Sequence, residues 1–555
     1  MNFFFKNILT DFYHILKGNT LPNIKKIKSK IKINRIKKKK KILIATSAGG
    51  LKSQIVFETA ISLGLLREGF DVEFLLCDEI LKACIMTTHS NIAEEDLLVK
   101  EKIKDKCSRC FQPAYKYLLD AGFNVVKLGS YINKKETNYI LKKNFNNFSI
   151  KDLASFTKDD INVGEHAYSG TLRYYAKTNL DEEKNGKKIL IQYLKSALIT
   201  KTSIENLFKH KNYDEIFLNH GIYVPQGIII DVAKKNKIKS STWCLGYRKK
   251  TFCLTRGDTY HRSLIYEKNS NWENFKFNHQ AQKKILIYLR SRMTGKNDWI
   301  HFYKNKPNFD VSLYFKEKKI DVSKPLIGMA TSVMWDAQID FPTNFYNNCL
   351  DWVFDTINFF VKNQHLQLII RISPAEVNEI KPARQRVYDE IKKKFTYLPK
   401  NIFIVRPEET ISSYAILSRC NNIIIYGSRI GIEMAALGKP VIVCGEGFVR
   451  NKKIALDVNS RKNYHEILSS MPIPSKQMPK GYILRAQKYA YHFFFRRMIE
   501  IKFIQERRGK QPMWTMNNET SKFINKFKED PGYQSIINSF LSGKDFIFKH
   551  EELDY

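Results

Sequence analysis

Two parts of the chain repeat one pattern, in which a short apolar run ends in small or polar residues before a longer amphipathic stretch. In the first part the apolar runs begin at Lys41, Asp71, Asn124, Glu215 and Lys239. In the second part they occupy 326–333, 366–372, 402–405, 423–426 and 441–444. Apolar runs without alternation are typical of parallel strands buried on both faces. Strands that alternate with helices predict α/β domains with parallel sheets.

The stretches between the strands have helical spacing. In 344–361, for example, Leu350, Val353, Ile357 and Phe360 share one face. A chain of 555 residues is too long for one core. We therefore predict two Rossmann-type, doubly wound domains at 41–300 and 320–480, with a basic extension at 1–40 and C-terminal helices at 481–555. Residues 265–320 are expected to form a polar helical linker.

The formal net charge of +38 indicates anionic surroundings. Residues 2–17 have the pattern of an aromatic amphipathic helix, and Lys25 to Lys41 contains eleven Lys and Arg residues and no acid. This combination favours contact with an anionic membrane surface. A basic linker docked on the protein is the alternative, and nucleic-acid binding is disfavoured because no recognised motif accompanies the charge. Neither a spanning helix nor a signal peptide is expected.

Nine scattered cysteines are typical of a reducing cytoplasm. Four of them, Cys77, Cys84, Cys107 and Cys110, are close in sequence, and the last two form a C-x2-C pair. Thiolate clusters bind zinc or iron–sulfur centres because soft ligands suit those metals. The sequence leaves two alternatives open here, a structural metal or reduced and partly buried thiols.

The stretch 401–450 contains the clearest candidate ligand-binding site. A buried strand leads into Gly427-Ser428-Arg429, a helix follows with Gly431 and Glu433, and Gly438-Lys439-Pro440 ends it. A small-residue turn before a helix can hold an anion, and Glu433 is placed to meet a sugar hydroxyl. An ordinary βαβ unit with a glycine turn is the alternative.

The first domain offers candidates of its own. The loop with Gly49 and Gly50 lacks a complete G-x-G-x-x-G, which argues against a dinucleotide site. His220 follows a buried strand, where it could act as a base or donate to a phosphate, or simply cap the next helix. The segment 246–262 includes Arg248 and Arg256, which could grip an anionic acceptor or lie in a solvated loop.

Three motifs follow one another in the second domain: Trp335-Asp336 in a loop, Arg371-Ile372-Ser373-Pro374-Ala375-Glu376 at a strand end, and the block from Gly427 to Pro440. In this order they resemble bacterial capsular polysaccharide biosynthesis proteins, which are GT-B-type glycosyltransferases. The resemblance implies two domains that face a cleft, with the nucleotide sugar on the second. Ser373 stands where that family usually has a histidine that meets the donor phosphate, and Arg371 and Arg406 are candidates to take over the phosphate charge.

The resemblance implies a glycosyltransferase that acts on a capsular or other surface polysaccharide at the cytoplasmic face of the membrane. Its partners would be a nucleotide sugar and a lipid-linked or polysaccharide acceptor, and no metal would be required. The expected donor residues are Arg371, Ser373, Glu376, Arg406, Ser428, Arg429, Gly431 and Glu433. The acceptor would meet Gly49, Gly50, Arg248 and Arg256, with His220 or Asp336 as the base. A UDP-sugar 2-epimerase-like enzyme, a polyol-phosphate transferase and a non-catalytic assembly or export partner are the alternatives.

Overall fold

The structure is a computed structural model that describes residues 21–34, 40–300, 305–339, 341–379, 381–507 and 513–553. A seven-stranded and a six-stranded sheet confirm the predicted pair of Rossmann-type domains, and residues 505–507 and 513–515 form a separate two-stranded sheet. The strands are β1 Lys41–Ser47, β2 Asp71–Leu76, β3 Asn124–Lys127, β4 Glu215–Asn219, β5 Lys239–Leu245, β6 Thr251–Arg256, β7 Leu326–Ala330, β8 Gln367–Arg371, β9 Ile402–Val405, β10 Asn422–Ile425, β11 Val441–Val443, β12 Leu456–Asp457, β13 Met498–Glu500, β14 Gln505–Arg507 and β15 Met513–Thr515.

Helices connect most of these strands. They are α1 Ile24–Lys28, α2 Lys52–Arg67, α3 Ile85–His89, α4 Glu94–Leu98, α5 Lys100–Asp120, α6 Lys134–Lys142, α7 Ile150–Ala154, α8 Val163–Tyr175, α9 Gly186–His210, α10 Gln226–Lys235, α11 Tyr260–Ile265, α12 Ser270–Glu273, α13 His279–Arg292, α14 Val311–Glu317, α15 Cys349–Lys362, α16 Ala375–Asn378, α17 Val387–Lys394, α18 Ser413–Arg419, α19 Ile430–Ala436, α20 Arg461–Ser469, α21 Tyr482–Tyr491, α22 Thr520–Asn525 and α23 Pro531–Ser542. None of the helices in the described ranges is long and apolar enough to cross a membrane.

The second sheet has the strand order β12-β11-β10-β7-β8-β9, and all its pairings are parallel. Strand order therefore reverses between β7 and β10, whose residues pair from Ile327 opposite Asn422 to Ala330 opposite Ile425. Ligands in open α/β sheets bind in the crevice outside the strand carboxyl ends at such a reversal. The loops that follow Ala330 and Ile425 are thus the expected ligand-binding loops of this domain.

The first sheet has the order β13-β6-β5-β4-β1-β2-β3, and it reverses between β1 and β4. At one edge of this sheet, β6 pairs antiparallel with both β5 and β13, and β13 comes from the C-terminal part of the chain. The chain returns to this domain through α21 and a π-helical turn at His492–Arg497. Helix α23 then packs on α2, where the Tyr533 hydroxyl donates to the carbonyl of Ala60 at 2.6 Å.

The segment 265–320 is not a polar linker. It contains helices α12–α14, and their residues Trp272, Ile285 and Leu289 are buried in one core with Ile369 and Val405 of the second sheet. Helix α13, which we expected in the first domain, therefore packs with the second. The isoleucines and leucines of α13 account for this burial.

The first residues of the basic run pack against the first domain. Ile24 and Ile27 of α1 are buried in the core of the first domain, and the Lys28 ammonium donates to the carbonyls of Ala121 at 3.2 Å and Gly122 at 2.7 Å. For residues 24–28, docking on the protein is therefore what the structure shows. Residues 2–17 and 35–39 lie outside the described residues, so membrane contact by that helix stays a prediction.

Candidate functional site

A cavity of about 320 Å³ lies between the two domains. Its second-domain wall is formed by the loops that follow β7, β8, β10 and β11, at the carboxyl edge of the sheet. Its other wall includes Tyr247 and His261 of the first domain and Arg292 of α13. The cavity thus occupies the strand reversal of the second domain and faces the first. The predicted residues that line it are Asp336, Arg371, Ser373, Ser428 and Arg429.

Ser373 ties two of the loops together. Its backbone N–H donates to the hydroxyl of Thr331 at 3.0 Å, and its own hydroxyl accepts from the N–H of Ala375 at 3.3 Å. Arg371 is 2% exposed, with Nε donating to Ser413 at 2.8 Å and Nη1 to the carbonyl of Arg406 at 2.6 Å. Arg371 therefore fixes the cavity wall, and its charge acts on the cavity from within that wall.

The turn at Gly427–Arg429 lies against the loop that follows β11. A Cβ on Gly427 would lie 2.3 Å from the carbonyl oxygen of Glu446, so this close approach requires glycine. A Cβ on Gly431 would lie 2.4 Å from Cδ1 of Ile425. Gly431 does not line the cavity, and it serves the close packing of α19 on β10. Ser428 and Arg429 are the turn residues that a ligand can reach.

Arg429 connects the two domains. Its guanidinium carbon lies 3.6 Å from the ring centroid of Tyr247, which is within cation–π range, and its Nε donates to Glu433 at 2.9 Å. The guanidinium group is therefore held by two contacts beside the cavity. A guanidinium held in this way suits phosphate binding, since little side-chain entropy remains to be lost.

Glu433 does not meet the cavity, contrary to the prediction that it contacts a sugar. It is 1% exposed and accepts hydrogen bonds from Arg292 at 3.0 Å, from Arg429 and from the Tyr414 hydroxyl. Burial favours the neutral form, but the charges of Arg292 and Arg429 outweigh it and lower the pKa of Glu433. Glu433 thus orients two arginines at the cavity wall. The sequence position of Glu433 correctly predicted that it lies near the cavity, but it did not predict that its side chain points away from the cavity.

Asp336 forms an ion pair across the cleft. Arg173 of α8 pairs with its carboxylate, and the Tyr223 hydroxyl donates to the same oxygen at 2.7 Å. Burial acts to raise the pKa of Asp336, but Arg173, nearby His220 and the Tyr223 hydrogen bond lower it. The carboxylate is therefore ionised and already paired, which makes it a poor base and a good link between the domains.

His220 does not line the cavity. Its backbone has φ of +63°, and its ring packs against Tyr223 and Tyr260 with centroid distances of 5.7 and 5.1 Å. Burial lowers the pKa of His220 to about 3. His261, which the sequence placed in a basic segment without a role, does line the cavity, and burial lowers its pKa to about 4. Within the described part of the chain, no group hydrogen-bonds to Nε2 of His261.

Two other predicted donor residues lie outside the cavity. Glu376 is buried and accepts from the N–H of Val387 at 2.9 Å, and burial raises its pKa to about 7. Arg406 is exposed, and its guanidinium stacks 4.1 Å from the ring centroid of Tyr388. Glu376 follows β8 and Arg406 follows β9, and the contacts of both side chains are with Val387 and Tyr388 of α17. The structure does not bring them to the site.

The arginines predicted to bind the acceptor hold the C-terminal segment instead. Arg248 Nε donates to the carbonyl of Phe494 at 2.7 Å. Arg256 donates to the carbonyls of Lys544 at 2.8 Å and Ser539 at 2.7 Å, and it pairs with Glu215. Neither lines the cavity. No local pattern in the sequence predicts these contacts, because the partner residues are some 250 positions or more away.

Gly49 and Gly50 pack against α5 and away from the large cavity. A Cβ on Gly49 would lie 2.5 Å from the carbonyl oxygen of Cys110, and the N–H of Gly50 donates to the Cys110 sulfur at 3.1 Å. Close helix–loop packing explains both glycines. They do not line the cavity that holds Ser428 and Arg429.

Cys77, Cys84, Cys107 and Cys110 surround a second cavity of about 40 Å³. Burial raises the pKa of Cys77 to about 12 and also raises that of Cys84 and Cys110. Burial thus favours the protonated form of these thiols at neutral pH. Among the described residues, no group of three or more His, Cys, Asp or Glu side chains is arranged to hold a metal. Of the two alternatives that the sequence leaves open, this arrangement agrees with reduced, partly buried thiols.

No protein-family model matches the chain, and no curated protein matches it significantly. Several solved structures are similar at low identity. The β-Kdo 2,4-transferase KpsC of Thermosulfurimonas dismutans is 11% identical, with a TM-score of 0.33 over 56% of this chain and 87% of its own. A UDP-GlcNAc 2-epimerase of Methanocaldococcus jannaschii, solved with UDP-GlcNAc and UDP, is 12% identical, with a TM-score of 0.26 over 81% of this chain and 98% of its own. The MnaA–UDP structure from S. aureus is 9% identical, with a TM-score of 0.28 over 91% of this chain and 97% of its own.

Proposed function

We propose that this protein is a glycosyltransferase of the GT-B type that transfers a sugar from a nucleotide-sugar donor. One observation carries the proposal. The cavity lies at the strand reversal of the second Rossmann-type domain, and it is closed on the opposite side by the first domain. This arrangement would hold a phosphorylated donor on one wall and an acceptor on the other.

The donor phosphates would bind at the turn of Ser428 and Arg429. The Ser428 hydroxyl and the Arg429 guanidinium can both donate to phosphate oxygens, and Glu433 and Tyr247 hold Arg429 in place. Arg371 adds positive charge from within the second-domain wall, and Arg292, which pairs with Glu433 and Asp298, borders the cavity on its other wall. Sugar transfer requires stabilisation of the negative charge that develops on the leaving phosphate. These positively charged side chains would supply that stabilisation.

The acceptor hydroxyl would lose its proton to His261. This ring belongs to the first domain, lines the cavity and is neutral at pH 7, because burial lowers its pKa to about 4. A bound diphosphate would raise that pKa, since negative charge favours the imidazolium. The acceptor oxygen would then bond to the anomeric carbon as the bond to the phosphate oxygen breaks. The electron pair of that bond leaves with the phosphate.

The biological setting is a further part of the proposal. We infer a surface polysaccharide as the product and an anionic cytoplasmic membrane face as the location. The motif order from Trp335 to Pro440, the net charge of +38 and the basic run after Lys25 support this setting. The nine free cysteines are compatible with a reducing compartment.

A donor screen tests the proposal. Mass-tagged nucleotide sugars would be incubated with the full chain and native lipid-linked acceptor, and products detected by mass spectrometry. We expect one donor to be consumed with transfer to the acceptor. His261→Ala should lower the rate by about 100-fold or more while nucleotide binding persists. Binding of no nucleotide and no nucleotide sugar by the wild-type protein would refute the proposed function.

A further inference from the structure

Glu446 lies beside the proposed phosphate turn. It belongs to the loop that follows β11, and its carbonyl oxygen touches Gly427, where a Cβ would lie 2.3 Å away. The side chain is 6% exposed and borders the cavity. Glu446 therefore lines the same cavity as Ser428 and Arg429, on the loop that contacts their turn.

The bonding of Glu446 is incomplete. Its Oε1 accepts a hydrogen bond from the Tyr266 hydroxyl at 3.2 Å, whereas Oε2 is buried and has no hydrogen-bond partner among the described residues. A buried acceptor without a donor is unfavourable, and such atoms in folded proteins call for an explanation. A ligand that brings hydroxyl groups into the cavity would satisfy this oxygen.

Among the described residues, no side chain around Glu446 donates a hydrogen bond to its Oε2. Arg450 directs its guanidinium to the carbonyls of Gly445 at 3.4 Å and Val458 at 2.7 Å, and Lys452 donates to the carbonyl of Ile265 at 2.9 Å. Tyr266, Arg450 and the backbone N–H of Thr343 favour the charged carboxylate, and Asp457 opposes it. Burial prevails and raises the pKa of Glu446 above its usual range.

The other acidic residues near the cavity differ from Glu446 in their bonding. Glu433 is fully paired and turned away, and Asp336 is held by Arg173 and Tyr223. Glu379 interacts electrostatically with Asp336 and Arg173, so it belongs to that part of the wall. Glu446 is the acid that combines a cavity position, contact with the phosphate turn and an open acceptor oxygen.

We propose that Glu446 binds a pair of adjacent hydroxyl groups of the donor, the role that the sequence suggested for Glu433. The proposal rests on the proposed function, since it needs a nucleotide at Ser428 and Arg429. Two oxygens of one carboxylate can accept from two neighbouring hydroxyls, and Tyr266 continues to position Oε1. Such a pair occurs in the ribose of a nucleoside diphosphate and in many hexoses of nucleotide sugars.

Calorimetry on the full chain tests the proposal and separates the two sources. The probes are the ribonucleoside diphosphates of the common bases, their 2′,3′-dideoxy counterparts and the corresponding UDP-, GDP- and CMP-sugars. If the ribose is bound, wild-type protein should prefer a ribonucleotide to its dideoxy form by about ten-fold, and Glu446→Gln should remove most of that preference. If the hexose is bound, Glu446→Gln should instead remove the extra affinity of the nucleotide sugar over its nucleotide.

Glu466→Gln, which changes an exposed acid on α20, is the matched control and should leave every affinity unchanged. Because the Glu446 oxygen lacks a partner, Glu446→Gln should melt at or above the wild-type temperature, which shows that the fold is retained. Unchanged binding of every probe by Glu446→Gln would overturn the proposal while the proposed function stands. Binding of no probe by wild-type protein would overturn both.

Discussion

Arg173 of the first domain and Asp336 of the second form an ion pair across the cleft, and the Tyr223 hydroxyl donates to the same carboxylate oxygen at 2.7 Å. A second contact lies nearby, where the N–H of Arg384 donates to the carbonyl of Ala176 at 3.1 Å. These contacts join the two domains beside the cavity. The relative position of the two domains therefore depends on the Arg173–Asp336 ion pair as well as on side-chain packing.

Asp336→Asn should loosen the domains. Asparagine keeps the shape but loses the charge that pairs with Arg173, and we expect a loss of about 1–3 kcal/mol of stability. Melting temperature should fall and the radius of gyration measured by small-angle X-ray scattering should rise. Glu552→Gln, in the exposed Lys549–Glu552 pair, is the control and should change neither. An unchanged radius of gyration and melting temperature in Asp336→Asn would contradict the interdomain role.

Glu433→Ala should destabilise the protein because it leaves Arg292 and Arg429 without a buried counter-ion. Removal of one partner from a buried ion pair costs about 3–5 kcal/mol. We expect a lower melting temperature in the absence of any ligand, with a smaller loss in Glu433→Gln. If Glu433→Ala melts like wild type and loses only nucleotide affinity, the carboxylate contacts the ligand after all.

Glu58 should make stability depend on pH. It is fully buried, accepts hydrogen bonds from Thr46 at 2.6 Å and from the Trp243 indole at 3.0 Å, and burial raises its pKa to about 7. The folded state binds this proton more tightly than the unfolded state. Its contribution to stability is therefore fully present below the unfolded pKa and is lost as pH rises toward 7, a change on the order of 3 kcal/mol.

Glu58→Gln removes that titration. The melting temperature of Glu58→Gln minus that of wild type should increase from pH 5 to pH 8. Glu466→Gln should show no such trend, because that side chain is exposed. A difference that stays constant with pH would show that Glu58 keeps an ordinary pKa in the folded protein.

Removal of residues 2–20 should abolish binding to vesicles that contain anionic phospholipid. The cut stops before Ile24 and Ile27, because these residues are buried in the first domain and their loss would disturb folding. Co-sedimentation with anionic vesicles measures the effect, and vesicles of neutral phosphatidylcholine are the control. Equal sedimentation of the truncated and full chains would refute the proposed membrane contact.

The fold was predictable to a large extent because local signals and burial agree. The β-branched run Ile402–Val405 forms a strand with the expected bounds, and the run predicted at 423–426 forms β10 at Asn422–Ile425. Strand β13 was not predicted, since Met498–Glu500 follows an aromatic helical stretch and pairs with residues more than 240 positions away. Such distant pairing leaves no local pattern in the sequence.

The site was only partly predictable. Ser373, Ser428 and Arg429 reach the cavity because they end buried strands, and strand ends can be recognised from sequence. His261 and Glu446 also line it, but their roles depend on which neighbours leave them without a partner. Glu433 shows the opposite case, since its direction is decided by Arg429 one turn earlier and by Arg292, which lies 141 residues away in sequence.

Arg429 tests the central claim, nucleotide binding at the turn of the second domain. The measurement is isothermal titration calorimetry of nucleoside diphosphates with wild type, Arg429→Gln and Arg406→Gln, which makes the same change at an exposed arginine outside the cavity. We predict that wild type and Arg406→Gln bind one nucleoside diphosphate alike and that Arg429→Gln binds it about 10- to 100-fold more weakly. Equal affinity in all three proteins, or no binding by wild type, would contradict the account.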